Sequence, residues 1–251
     1  MAELVRNGRI GKLQQIEVIL PKQPTFPGDP VPQPVPSDLD YEMWLGPAPY
    51  APYTKDRVHY NFRWIWDYSG GIIPDWGAHL FDTAQWANDT ERSGPIEVEG
   101  NGTHWNEGLF NTVKDYDVTF RYENGVVMTC KPGNPSIKFI GTDGWVGNTG
   151  WRGELQASSK ETKDSKIGPN EVRLYTNPEG EHHDFLQCVK SRQDPIEPVE
   201  VGCSTVSLCI LGNIAQILKR KFTWDPAAER STDDDVNRML QRPMRAPWKL
   251  L

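Results

Sequence analysis

From Leu13 to Leu20 apolar side chains recur at alternating positions, Ile16, Val18 and Leu20, behind a Gly8/Gly11 turn signal. A period of two marks a strand with one covered face, so the chain is expected to open directly into sheet. The alternation returns in short runs at Ile96 to Glu99, Tyr116 to Tyr122 and Val126 to Cys130, with Asn124-Gly125 joining the last two. Asn-Gly between alternating runs is the strongest short-range hairpin signal, and these runs predict an antiparallel sheet. Ile137 to Ile140, Gly144 to Val146 and Val172 to Tyr175 add further strand candidates. Three segments have helical character. One is opened by Pro74, tolerated at a first helical position, and runs to about Ala87. One spans His183 to Ser191, and one runs from about Cys203 to Lys221, closing on basic residues that suit a helix C-terminus. Strands and helices are segregated along the chain, the pattern of an α+β fold.

Prolines crowd residues 21–36, which must run extended over a surface, and the aromatic stretch Tyr41 to Tyr50 after them can wall a pocket. Ser158 to Lys166 reads as a polar loop, and 222–251 as an ordered, proline-punctuated tail. With 251 residues the chain is long enough for one large domain, taken here as 1–251 with the proline-rich loop at 21–50. No apolar run approaches the roughly 18 residues of a membrane span. The net charge of -7, without a basic stripe, argues against a nucleic-acid partner. Cys130, Cys188, Cys203 and Cys209 lack both CxxC spacing and the density of a disulfide scaffold, and read as reduced core residues. The start lacks a signal-length apolar stretch, which makes the cytoplasm the expectation and leaves the Asn88 and Asn101 sequons as chance matches.

The chemistry concentrates in Gly70-Gly-Ile-Ile-Pro-Asp-Trp-Gly-Ala-His-Leu-Phe-Asp82. On a helix, Asp75, His79 and Asp82 fall at i, i+4 and i+7 and share one face. The helix dipole favours an ionised Asp75 in the first turn, where it can orient an imidazole one turn later: a base and its orienter. Ordinary helix-start chemistry would also place an Asp there. A second arrangement draws on the other histidines: Asp75, His79, His104 and His182 could hold a divalent metal such as zinc with an open position for water. No HExxH, no Gly-x-Ser-x-Gly elbow and no Cys-His neighbourhood supports a hydrolytic nucleophile. Gly100-Asn-Gly102 is half a dinucleotide fingerprint, but Trp105 stands where a third small residue belongs. Ten tryptophans include Trp64 and Trp76 near this stretch, where aromatic faces can stack on sugar C–H faces while Arg57, Arg63 and Asp67 bind hydroxyls. A carbohydrate-like small molecule is therefore the expected partner.

The same residues resemble the Gfo/Idh/MocA oxidoreductases. The phrase from Gly70 to His79 matches their GGxxxDxGxH motif, and the flanking Trp44-Leu-Gly-Pro-Ala-Pro, Arg57-Val-His-Tyr-Asn-Phe-Arg-Trp and Asp67-Tyr-Ser-Gly-Gly look like a bacterial subgroup; Tyr122-Glu-Asn-Gly-Val, Gly141-Thr-Asp-Gly-Trp, Asp184-Phe-Leu-Gln-Cys with Ser191-Arg-Gln-Asp-Pro, and Trp224-Asp-Pro are further matching phrases. The resemblance covers nearly the whole chain and is to the substrate-handling C-terminal half. It implies that His79 and Asp75 form the acid-base pair for the proton of a sugar hydroxyl, with His59 among the substrate contacts. It implies a large, mostly antiparallel open sheet with helices on one face and an apolar face left for a homo-oligomer. The Rossmann domain of such enzymes, with its Gly-rich turn and Glu-Lys-Pro phrase, is not found here, so NAD(P) is expected only if a partner chain supplies it. Two other classes stay open: a metal-dependent hydrolase or lyase using the same pocket, and a non-catalytic sugar-binding or oligomerisation module.

Overall fold

The computed structural model describes residues 1–174 and 176–249. Strands β1 (Leu13–Leu20), β2 (Glu97–His104), β3 (Val113–Arg121), β4 (Val127–Pro132), β5 (Ser136–Gly141), β6 (Trp145–Asn148), β7 (Leu155–Ala157) and β8 (Phe222–Thr223) form one open sheet in the order β7-β6-β5-β1-β4-β3-β2-β8. Only β1 and β4 pair in parallel. The helices are α1 (Ala2–Arg6), α2 (Tyr41–Leu45), α3 (Ile72–Asn88), α4 (Lys160–Lys163), α5 (Glu181–Ser191), α6 (Val199–Leu218) and α7 (Asp234–Met239), with a 3-10 helix over His59–Trp64. The architecture is α+β, as the segregation of elements predicts.

The β3–β4 hairpin turns at Asn124-Gly125, where Gly125 takes φ 86° and Asn124 Oδ1 accepts from the Val126 N–H at 3.1 Å. Its register sets Val118 opposite Cys130 and Phe120 opposite Met128, all on the covered face. Ile16, Val18 and Leu20 from β1 join them, and α3 and α6 close the core from above. Phe81 of α3 meets Phe120 edge-on at 5.4 Å. Gly100 and Gly102 lie inside β2; a Cβ at Gly100 would come within 3.0 Å of Ala215 Cβ and the Gln216 backbone N. The Gly-Asn-Gly sequence is thus the place where α6 presses onto the sheet, the usual meaning of strand glycines.

Several expectations are corrected. Helix α1 precedes the first strand and is tied to the end of α3, where Arg6 pairs with Asp89 at 2.7 Å and donates to the Trp86 carbonyl at 3.1 Å. Helix α3 starts at Ile72, and Pro74 sits within its first turn, where no intrahelical N–H bond is lost. Helix α6 starts earlier than Cys203, directly after Pro198, and ends at Leu218 with Lys219 left-handed at φ 52°. Val172 to Leu174 form no strand, and Tyr175 lies outside the described residues. The tail holds β8 and α7, the latter capped by Asp233 and anchored by the fully buried Val236.

At 20 residues with one charge, Glu200, α6 is by length and composition apolar enough to cross a membrane, which corrects the expectation that no segment of the chain is. Its packing against α3, β2 and β3 accounts for that composition as a core helix. The uncovered sheet face is mixed: it presents Glu17, Thr119, Thr129, Lys131 and Lys138 beside Ile19, Val127, Ile140 and Trp145, with Lys131 paired to Asp117 at 3.1 Å. The alternation places most of the strands' apolar residues under the helices, which leaves the polar ones on this face. Cys130 and Cys209 are core residues, whereas Cys203 is exposed and Cys188 partly so.

Candidate active site

The glycines of the 70–82 segment are structural. Gly71 holds φ 77° just before α3, and a Cβ there would lie 2.7 Å from Thr112 Cβ; one at Gly70 would lie 2.6 Å from Pro74 Cγ. Gly77 packs on Cys209, where a Cβ would come 3.0 Å from Sγ. Together they seat the start of α3 against β3 and α6, leaving Asp75, Trp76 and His79 on the side away from the sheet.

Asp75 is held by Arg63, whose Nη1 stands 3.1 Å from Oδ1, and each of the two side chains is 20% exposed. Arg63 is itself fixed: its Nε donates to the Tyr60 carbonyl at 3.1 Å and its guanidinium lies 3.3 Å from the Tyr60 ring centre. Its buried Nη2 has no partner among the described residues. The sequence places Arg63 as a substrate contact; in the structure it is the partner of the acid. His79 is exposed, and among the described residues no hydrogen bond reaches its ring. Its imidazole centre lies 5.2 Å from the Trp151 ring and 6.4 Å from Trp76, and the two indoles meet edge-on at 5.1 Å. The site therefore combines an open imidazole, two indole faces and a carboxylate one turn away that an arginine keeps in place.

Asp82 shares the helix face by spacing but turns to α6, accepting from Thr205 Oγ1 at 3.1 Å. Burial, reinforced by the neighbouring Glu197, pushes its carboxyl up to about 6, with Glu91 adding to the effect and the Thr205 hydrogen bond opposing it.

The other candidates separate. Trp76 belongs to the site. Trp64 is 2% exposed and is a core side chain, which corrects its assignment to the substrate surface. Arg57 donates to the Pro52 carbonyl at 3.0 Å and to the Tyr68 hydroxyl at 3.1 Å, bracing a small cluster of Tyr41, Leu45, Tyr53 and Val58 rather than reaching outward. His59 opens the 3-10 helix at φ 53° and is exposed. Asp67 is exposed and lines a cleft of about 770 Å³ between the segment after α2, residues 66–68 and the C-terminal tail. Trp151 lies in none of the phrases that mark the family, and Tyr60 lies in the Arg57–Trp64 phrase without being singled out as a site residue.

The four metal candidates do not form one centre. Asp75 and His79 sit on α3, and His182 is exposed at the start of α5 beside Glu181 at 3.1 Å. His104 ends β2, where burial, aided by Lys219, lowers its pKa from the ordinary value. Among the described residues no group of three His, Cys, Asp or Glu side chains gathers as a ligand set.

Comparison with known proteins identifies the fold and the family. A family model described as "Oxidoreductase family, C-terminal alpha/beta domain", of the Gfo/Idh/MocA group, matches residues 28–250. No curated protein matches the chain. Among solved structures, the aldose-aldose oxidoreductase from Caulobacter crescentus, complexed with glycerol, is similar at TM-score 0.58 and 15% identity, over 88% of this chain and 58% of that one. The WlbA dehydrogenase from Bordetella pertussis, in complex with NADH and UDP-GlcNAcA, is similar at 0.55 and 14%, over 88% and 59%. An NAD-binding protein from Listeria innocua follows at 0.55 and 16%, over 88% and 58%. At these identities the likeness is one of fold, and this chain spans 58% to 59% of the length of those structures. With the family model covering residues 28–250, the chain belongs to the Gfo/Idh/MocA oxidoreductase family and corresponds to its C-terminal alpha/beta domain.

Proposed function

We propose that this chain is the substrate-handling domain of an oxidoreductase acting on a sugar or polyol hydroxyl, with His79 as the base that takes the hydroxyl proton. The observation that carries the reading is His79 itself: an open imidazole between Trp76 and Trp151, one helical turn from a carboxylate fixed by Arg63. Indole faces suit the C–H face of a ring, the imidazole reaches a hydroxyl, and Arg63 holds the Asp75 carboxylate in place one helical turn from that imidazole. The aldose-aldose oxidoreductase among the similar structures acts on substrates of this class, as its name states.

Oxidation also needs a hydride acceptor, and the one dinucleotide-like phrase singled out in the sequence, Gly100-Asn-Gly102, does not offer a place for it. This Gly-x-Gly in a strand context is filled by α6, so no backbone cradle is open there. The reading therefore assigns to this chain the binding of the substrate and the handling of its proton.

Titration of the protein with glucose, galactose, glucuronate and myo-inositol, followed by tryptophan fluorescence, tests it. Saturable quenching that Trp151→Leu weakens about tenfold is expected, since buried aromatic contacts of this kind dominate binding. Absence of quenching by every member of the panel would remove the proposal.

A further inference from the structure

The cleft of about 770 Å³ shares no lining residue with the His79 site. The 3-10 helix divides the two, with Phe62 facing the cleft and Arg63, the next residue, holding Asp75. Its volume lies in the range of small-ligand pockets, roughly 300–1,000 Å³.

The walls are pinned to one another. Arg245 donates its Nε to the Ala48 carbonyl at 3.0 Å, its Nη2 to the Gly46 carbonyl at 2.9 Å and its backbone N–H to the Pro47 carbonyl at 2.8 Å, and pairs with Glu42. Arg242 donates Nη2 to the Ser69 carbonyl at 3.0 Å. Tyr68 is wedged between the Trp44 ring, 4.9 Å away, and Arg57. Three segments far apart in sequence are thus fastened before any ligand arrives, which lowers the ordering cost of binding.

The chemistry of the lining is specific. Phe62, 38% exposed, and Trp66 line the space, and neither ring stacks on another aromatic ring among the described residues. Asp67 is exposed and makes no hydrogen bond or ion pair among the described residues, so its oxygens are open acceptors. Arg242 lies 5.4 Å over Trp66 and keeps Nε and Nη1 without a partner among those residues. Arg238, the other cation, is engaged by Asp235. Flat apolar faces, one open acceptor and one open donor of cancelling charge are what a neutral polyhydroxylated ring requires; an anionic ligand would meet Asp67.

We propose that this cleft is a second carbohydrate site, binding a neutral pyranose unit between Trp66, Phe62, Asp67 and Arg242. The proposal shares with the proposed function only the class of ligand. Isothermal titration with the methyl glycosides of glucose, galactose and mannose, each to about 50 mM, tests it on the wild-type chain and on Asp67→Asn, Trp66→Ala and His79→Ala. At least one glycoside is expected to bind, to bind His79→Ala as well, and to bind Asp67→Asn and Trp66→Ala about tenfold more weakly. Asp67→Asn is an isosteric surface change, so its loss of binding is not a loss of fold, and circular dichroism checks Trp66→Ala. Loss of all binding in His79→Ala overturns the cleft proposal and leaves the proposed function standing. Weakening confined to the cleft variants bears out the cleft site and does not touch the His79 reading, which stands or falls by its own titration. Failure of every glycoside to bind the wild-type chain overturns the cleft site.

Discussion

Arg63 Nη1 and Asp75 Oδ1 stand 3.1 Å apart, joining a 3-10 helix to the first turn of α3, so the Asp75 carboxylate is bonded to this arginine and not to His79. Both side chains are largely buried, so removing one leaves an uncompensated charge. Arg63→Met is expected to destabilise the fold by about 1–2 kcal/mol, a figure reduced from that of a fully buried pair because water still reaches both groups. Urea unfolding of the two proteins measures it, and an unchanged midpoint would show that the pair holds nothing in place.

Asp82 gives a pH dependence with a definite sign. Its carboxyl is pushed up from the ordinary 3.8 to about 6, so between those values the folded chain binds more protons than the unfolded one, and this group's contribution falls as pH rises through the window. Asp82→Asn keeps an acceptor for the Thr205 hydroxyl and removes the penalty. The variant is expected to melt about 3 °C higher at pH 8, corresponding to about 1 kcal/mol, and to lose that advantage below pH about 4. Melting curves across pH would contradict this if the two proteins ran in parallel.

Gly71 tests the structural half of the motif. An alanine there would combine a left-handed φ of 77° with a contact 2.7 Å from Thr112 Cβ. Gly71→Ala is expected to cost about 3 kcal/mol, read by chemical denaturation, whereas Gly8→Ala, with φ 70° but open space around it, should cost only the backbone part, about 1 kcal/mol.

The reading that this chain handles the substrate and its proton, and not the hydride, has a direct consequence. The chain mixed with NAD and the sugar panel is expected to form no reduced nicotinamide, followed by its fluorescence. Turnover above background would contradict that division of labour.

Much of the fold is legible in the residue pattern because it is set by local rules. Strand β1 has the bounds its alternation marks, and the Asn124-Gly125 hairpin forms where the dipeptide allows a positive φ. Helix α3 begins two residues before Pro74 because a proline is tolerated throughout the first turn, so it marks a start only loosely. Strand β8, of two residues, and helix α7 are stabilised by packing of Phe222 and Val236 rather than by periodicity, and short elements of that kind leave little trace. In the site, Asp75 and His79 announce themselves by spacing. Trp151 reaches His79 from the loop after β6, a long-range contact no local pattern encodes, and Arg63 declares its partner only once the 3-10 helix is folded against α3. Trp64 shows the limit of composition: tryptophans two residues apart go one to the core and one, Trp66, to the cleft.

The central claim is that His79, Trp76 and Trp151 receive a sugar or polyol. Two-dimensional NMR of the imidazole of His79 and the indole N–H groups of Trp76 and Trp151, during titration with myo-inositol and the aldoses, tests it most directly. The account predicts that all three signals move along one saturation curve and that the indole shifts vanish in His79→Ala. Shifts confined to Trp66, or none at the three residues with any member of the panel, would contradict it.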